Sequence, residues 1–411
     1  MLGWEFPPHF AGGAGIVCSE LSHALNRKNT DVTFLMPSGP QDVYDDVSKT
    51  EPGQPQLKIR IANNEVNNTT VEIRKVQSIM KAYDSFSKYE QRLEEIKEKK
   101  EEEADVYGDD LEAEVYRFAE KASVIAKEED FDVIHAHDWV TFPAAVKISK
   151  ETGIPLVVHV HITEFDKSGN LHADPFIYDI EQTGMKEADR VITVSERVKK
   201  RCVTHYHIDS EKIRVVHNGA TEMNDEIHEG TGFKKGRKMV LFAGRVTMQK
   251  GPEYFVEAAK KVSELEDDIV FVVAGDGDKL PMMKEMVQDY GLEDKFYFHG
   301  FYTRDEAEKL FSMADVFVMP SVSEPFGVVP YEAQMKKTPA VISKQSGISE
   351  VLDHALKVDF WDINKMAKQI ITLLNYEEMH NEMKEEGYVE SKTANWDEPA
   401  KKCLNVYNEV I

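Results

Sequence analysis

Short runs rich in valine, isoleucine and phenylalanine recur along this chain, several of them without the polar alternation of a half-exposed strand, and longer amphipathic stretches separate them. The clearest runs are Val32–Met36, Leu57–Ile61, Val71–Val76, Val133–His135, Leu156–His161 and Val191–Val194. A second series follows at Met239–Ala243, Ile269–Ala274, Phe296–His299, Val316–Met319 and Ala340–Ile342. A continuous apolar run is what a strand needs when both of its faces are covered, so these read as strands of parallel sheets. Between them, Leu111, Val115, Phe118, Ala122 and Ile125 fall on one helical face. Gly251-Pro252 opens another helix, with proline in its first turn and Phe255, Ala259 and Val262 inward. Strand alternating with helix predicts an α/β protein of doubly wound sheets.

Two such sheets are expected. Residues Val215 to Arg237 hold few apolar side chains and several glycines, and read as the connection between two domains, 1–216 and 217–388. The 411 residues suit that division. A cleft between the carboxyl ends of two open sheets is where ligands of such folds bind. Tyr89 to Asp105 is dominated by glutamate and lysine and reads as a solvated helix held by i, i+4 ion pairs, with partner recruitment a weaker reading. Met1-Leu2 is all that precedes the loop Gly3-Trp4-Glu5-Phe6-Pro7-Pro8. Either the sheet tolerates a stub in place of a central strand, or the recorded start lies downstream of the true one.

Composition narrows the function. There are 74 acidic and 50 basic side chains, a formal charge of −24, which argues against a nucleic-acid or anionic-membrane surface. No run approaches the roughly 20 apolar residues of a membrane span. Cys18, Cys202 and Cys403 are odd in number and not in metal-like spacing, the usage expected of a reducing cytoplasm.

Chemistry is concentrated in a few strings. Gly12-Gly13-Ala14-Gly15 before a helical run lets backbone donors approach an anion, although the same string also serves an ordinary turn. Gly244-Arg245 ends one strand, and Lys250-Gly251-Pro252 opens the next helix. Two cations there can clamp a diphosphate, arginine as a fork and lysine as a point charge. The string Ser323-Glu324-Pro325-Phe326-Gly327-Val328-Val329-Pro330-Tyr331-Glu332-Ala333 follows an apolar strand, with one glutamate in the loop and the second inside the helix. Gly327 and Val328 would offer amide donors at the helix start. Asp276-Gly277-Asp278 follows a strand and reads as a turn rather than a metal motif. His135, His137, His159 and His161 read as cleft lining, with no cysteine beside them in sequence to complete a zinc site, so no metal is expected.

With these strings in view, the chain resembles retaining glycosyltransferases of family 4, nearest in flavour to glycogen and starch synthases. His135-Ala136-His137-Asp138-Trp139, Val158-His159-Val160-His161-Ile162-Thr163-Glu164, Val191-Ile192-Thr193-Val194-Ser195, His217-Asn218-Gly219, Ala274-Gly275-Asp276-Gly277 and Gly347-Ile348-Ser349-Glu350 extend the resemblance over nearly the full length. It implies the GT-B fold, two Rossmann-like domains with an inter-domain cleft and a last helix, within 389–411, that crosses back to the first domain. It implies transfer of a hexose, glucose first among candidates, from UDP-glucose or ADP-glucose to a glucan or other carbohydrate acceptor. Arg245 and Lys250 would hold the diphosphate, with Gly12 and Gly13 facing it from the other domain. Glu324 would contact the sugar, Glu332 the ribose, Gly327 and Val328 sugar and phosphate. His161 would touch the transferring sugar, and Asp138 would lie on the acceptor side. Two departures are visible: Ser346-Gly347 replaces a glycine pair, and His9-Phe10-Ala11 lacks the lysine that bacterial starch-type synthases carry before Gly12-Gly13. Other readings are a nucleotide-sugar epimerase, a transferase of cell-surface polysaccharide or disaccharide synthesis, and a non-catalytic scaffold. Intact donor-contact residues speak against the last.

Overall fold

The computed structural model describes residues 1–7, 13–37, 55–62, 111–167, 173–224, 234 and 236–411, without the side chains of 111–114. Gly12, the run Val71–Val76, the charged stretch Tyr89–Asp105 and part of the connection between the two halves, 225–233 and 235, lie outside the described residues.

The first half builds one parallel sheet from β1 (Val32–Met36), β2 (Leu57–Ile61), β3 (Ile134–His137), β4 (Leu156–Val160), β5 (Arg190–Thr193) and β6 (Ile213–Val215). β1 pairs with β2, and β3 to β6 pair in sequence order. The two sets are joined by Leu2, which bridges Leu35 on one side and Ala136 on the other, both in parallel sense. Leu2 N–H donates to His135 O at 2.8 Å, His137 N–H to Leu2 O at 2.9 Å, and Leu35 N–H to Met1 O at 2.9 Å. The stub thus satisfies both neighbours' ladders, as a central strand must. Burial of the Met1 amino group lowers its pKa to about 5.

The second half builds a six-stranded parallel sheet from β7 (Lys238–Ala243), β8 (Ile269–Ala274), β9 (Phe296–Gly300), β10 (Val316–Met319), β11 (Ala340–Ser343) and β12 (Leu356–Val358). Its order is β12-β11-β10-β7-β8-β9. Counted from β7 this is the doubly wound order, in which strands grow outward in one direction and then restart in the other. The restart lies between β7 and β10, and in the first sheet between the Leu2 segment and β3. Helices cover both faces, so β3, β4, β8, β10 and β11 are buried along their whole length.

The expected back-crossing segment is two helices. Glu377–Thr393 packs on the helices of the second half, and Asp397–Asn408 packs on Gly13–Arg27 of the first. Trp396, Ala400, Cys403, Val406 and Tyr407 of this last helix join the core made by Val17, Leu21, Phe34 and Ile59. The second crossing, near Gly219, lies directly against it, with Ala220 N–H donating to Ala394 O at 2.5 Å. No helix among the described residues is long and apolar enough to cross a membrane.

Candidate active site

The restart of the second sheet places two loops side by side. After β7 come Gly244 and Arg245, then a short turn over Met248–Lys250. After β10 come Pro320 to Glu324. Gly251, at φ 64°, allows these loops to touch: a Cβ there would lie 2.4 Å from Pro320 O. The product of that contact is an ion pair between Lys250 Nζ and Glu324 Oε2. Ser321 Oγ donates to the same carboxylate oxygen at 3.4 Å. The two paired side chains are 17% and 9% exposed, so the pair is largely desolvated.

Glu324 is held by its backbone as well. Its N–H donates to Gln345 O at 3.0 Å, and its carbonyl accepts from Gly347 N–H at 3.0 Å. Gly327 has φ 88°, and a Cβ on it would sit 2.8 Å from Glu324 Cγ, so a side chain here would displace the carboxylate from Lys250. Next to it, the helix Val329–Met335 begins with proline in its first turn. Among the described residues, the N–H groups of Gly327 and Val328 donate to no backbone carbonyl.

Other expected members stand apart. Arg245 is exposed at the end of β7 and makes no ion pair among the described residues. Glu332 is half-buried, and burial raises its carboxyl pKa against the opposing pull of Arg304. Its carboxylate also raises the Tyr302 hydroxyl, itself pushed up mainly by burial. Of the expected cations and acids, Lys250 and Glu324 are therefore brought into contact, while Arg245 and Glu332 flank them without touching.

The first sheet presents a different wall. His135 and His137 project from one face of β3, and His159 and His161 from the same face at β4 and just beyond it. His137 Nδ1 and His161 Nε2 share a hydrogen bond of 2.8 Å, and His135 Nε2 and His159 Nδ1 one of 3.3 Å. Tyr407 of the last helix reaches His135 Nδ1 at 2.6 Å. Burial pushes all four histidines below their ordinary range, and mutual repulsion adds to this at His135, His137 and His159. At His161 the charge of Asp138 works the other way. The rings are therefore neutral donors and acceptors.

Asp138 has a defined task. Its backbone is left-handed at φ 59°, a strained state for a residue with a side chain. Its Oδ1 accepts from His161 N–H at 2.7 Å and Ile162 N–H at 3.4 Å. Asp138 thus fixes where β4 ends and His161 begins, a positioning role beyond its expected place on the acceptor side. Gly13 is the first residue of the helix Gly13–Arg27, with open space where a Cβ would be.

Several residues that tie the walls together were not singled out from sequence. Asp166 accepts from Thr163 N–H at 3.1 Å and Thr163 Oγ1 at 2.8 Å, and from Ser323 Oγ at 2.9 Å, with Arg201 paired to it. A bridge therefore runs from Thr163, two residues past His161, to Ser323, one residue before Glu324. Ser195 Oγ donates to Pro325 O at 2.7 Å. Glu350 accepts from Glu196 N–H at 2.8 Å, Arg197 N–H at 2.9 Å and His217 Nε2 at 2.9 Å, so a carboxylate of one half caps a helix of the other. Burial alone would raise the Glu350 pKa, but the bonds from His217 and the two amides outweigh it and hold it below the usual value. Arg197, its charge disfavoured by burial but supported by Glu350 and Glu324, adds a cation beside Ser323, 3.4 Å from its Oγ. Thr163, Ser195, His217, Ser323 and Glu350 lie within strings already quoted from the sequence, whereas Asp166 and Arg201 do not, and Arg197 had only the preceding Val-Ile-Thr-Val-Ser string as a signal. One premise of the metal argument also changes: the fold brings Cys18 beside His137 and His161.

Comparison with known proteins agrees with this geometry. Residues 223–390 match the family model "Glycosyl transferases group 1", and residues 95–221 match "Glycosyltransferase Family 4". An uncharacterized glycosyltransferase of Methanocaldococcus jannaschii is 28% identical, over 99% of this chain and 97% of its own length. Among solved structures, sucrose-phosphate synthase of Thermosynechococcus elongatus superposes with a TM-score of 0.73 at 18% identity, covering 99% of this chain and 97% of that one. Anabaena HepE, solved in complex with UDP and glucose, superposes with a TM-score of 0.64 at 14% identity, covering 99% and 98%. The two family models thus place glycosyltransferase domains in both halves of the chain, and the fold is that of the GT-B glycosyltransferases.

Proposed function

We propose that this chain is a retaining hexosyltransferase, moving glucose or a closely similar sugar from a nucleoside diphosphate donor to a glucan or another carbohydrate. The observation that carries the reading is the Lys250–Glu324 pair at the restart of the second sheet, tied through Ser323 and Asp166 to the loop that bears His161. HepE, of the same fold, was solved with UDP and glucose together, which suits a nucleotide-sugar donor here.

In this reading the diphosphate lies against Lys250 and Arg245, with the amides of Gly327, Val328 and Gly13 around it. Glu324 holds Lys250 in position, then turns to the sugar hydroxyls when the diphosphate takes over the ammonium. Negative charge grows on the leaving diphosphate as the glycosidic bond breaks, so fixed cations stabilise the transition state more than the ground state. No metal ion is required for that charge, because the two cations supply it. Neutral His161 offers a hydrogen bond to the transferring sugar without drawing water into the crevice. Glu332 serves the ribose, and glycogen or starch synthesis is the nearest chemical parallel.

The test is incubation with UDP-glucose and ADP-glucose, each with and without glycogen, followed by analysis of both products. The reading expects nucleoside diphosphate to appear together with acceptor-linked sugar. Donor consumed with only free or epimerised sugar released would count against transfer.

A further inference from the structure

The first sheet has its own restart, between the Leu2 segment and β3, and the proposed reaction leaves part of it unused. A cavity there is lined by Trp4, Glu5, Ala14, Cys18, His137 and Asp138. Cys18 comes from the helix Gly13–Arg27, His137 from the end of β3, and His161 from just beyond β4. Each offers one donor atom, and these three atoms lie within 4.8 Å of one another. Cys18 is 2% exposed, His137 3% and His161 8%. One nitrogen of each histidine is used in their mutual bond of 2.8 Å. The others, His137 Nε2 and His161 Nδ1, are buried with no hydrogen-bond partner among the described residues. Buried polar atoms are nearly always partnered, so two unpartnered nitrogens on adjacent rings beside a buried thiol mark a place for a ligand.

We propose that Cys18, His137 and His161 form a metal site for a soft divalent cation, with Zn²⁺ the natural fit. One sulfur and two imidazole nitrogens suit zinc and its neighbours in the transition series, and they do not suit Mg²⁺ or Ca²⁺, which take oxygen. Tetrahedral bonds of about 2.3 Å to sulfur and about 2.0–2.1 Å to nitrogen need donors about 3.3–3.6 Å apart, inside the 4.8 Å limit these atoms already meet, so side-chain rotation closes the site. On binding, the ring that accepts in the mutual bond moves its proton to its inner nitrogen, so the His137–His161 hydrogen bond gives way and both outer nitrogens present lone pairs. The Cys18 thiol proton leaves to solvent and Sγ takes the ion. Glu5 and Asp138 border the cavity with negative charge, and Asp138 already anchors the backbone of His161, the kind of outer support that orients a ligand. The cation is not part of the transfer reaction. It inhibits, because a His161 held by metal is withdrawn from the sugar. That consequence rests on the proposed function, whereas the site itself does not.

The experiment is a Co²⁺ titration of the full chain after chelator treatment, read by absorption. The proposal expects one equivalent to bind with a thiolate-to-cobalt charge-transfer band, displaced by Zn²⁺. In Cys18→Ser that band is lost and affinity falls at least tenfold, and His137→Asn weakens binding as strongly. Absence of the band in the wild-type chain overturns the proposal, and so does an equal band in Cys18→Ser and Cys18→Ala, which would place the thiolate at Cys202 or Cys403. In turnover assays one equivalent of Zn²⁺ slows the wild-type chain at least tenfold and spares Cys18→Ser. Unchanged wild-type turnover with the cation bound would overturn the inhibitory role alone. Because the spectrum needs no turnover, failure of the metal site and failure of the transferase reading are distinguishable.

Discussion

The two halves of this molecule share one topology and line their restarts with opposite chemistry. The second sheet sets Lys250 against Glu324, a charged pair still partly open to solvent. The first sheet sets four buried, neutral histidines in hydrogen-bonded pairs. A parallel sheet supplies the crevice, and the side chains decide what enters it. A departing diphosphate needs fixed positive charge, which a partly open pair keeps without the full penalty of burying ions. An uncharged sugar needs donors and acceptors in a dry place, which desolvated imidazoles provide.

The sharpest way to break this contrast is to remove the charge. Lys250→Ala and Glu324→Ala are each expected to lower turnover by about a hundredfold or more, on the order of 3 kcal/mol, with the thermal midpoint little changed. A midpoint that collapses instead would make the pair structural. Next in size is His161→Ala, expected to lower kcat by tens- to a hundredfold while donor affinity shifts only a few-fold. Lost affinity with preserved kcat would move His161 to the binding side. Glu350→Gln weakens the cap that joins the halves and should cost about 1–3 kcal/mol in kcat/KM, with small-angle scattering reporting a more open molecule. Smallest in its effect on turnover is Glu181, which accepts from Glu164 N–H at 3.0 Å and supports the His161 loop from outside the crevice. Burial raises its pKa to about 8. Its folded pKa therefore lies above its unfolded one, so its contribution to stability is complete below about pH 4.5 and fades as pH rises through about 8, by about 1.4 kcal/mol per unit at most. Glu181→Gln should flatten that part of the stability profile, as urea unfolding at several pH values would show.

Much of the architecture was legible because many buried strands are apolar runs: β1, β8 and β10 coincide with runs read directly from the residues, and β2 does so although Lys58 and Arg60 alternate with its apolar side chains. β6 and β12 escaped notice. Each has only three residues with a cation in the middle, Ile213-Arg214-Val215 and Leu356-Lys357-Val358, because edge strands need less apolar surface. Lys250 and Glu324 could be placed at one crevice in advance because both lie where strands give way to helices, although the ion pair between them was not foreseen. Arg197, Asp166 and Glu350 could not, since their partners come from the opposite half and docking leaves no local periodicity. The zinc argument failed in one premise for a similar reason: Cys18 is far in sequence from His137 and His161, yet a helix face laid beside β3 brings its sulfur to them.

The most direct test is a crystal structure with the nucleoside diphosphate product bound. The account predicts the diphosphate within hydrogen-bonding distance of Lys250 Nζ and Arg245, with the base held by the second half of the chain and Glu324 released from its present partner. A diphosphate seated elsewhere, with the Lys250–Glu324 pair intact, would contradict it.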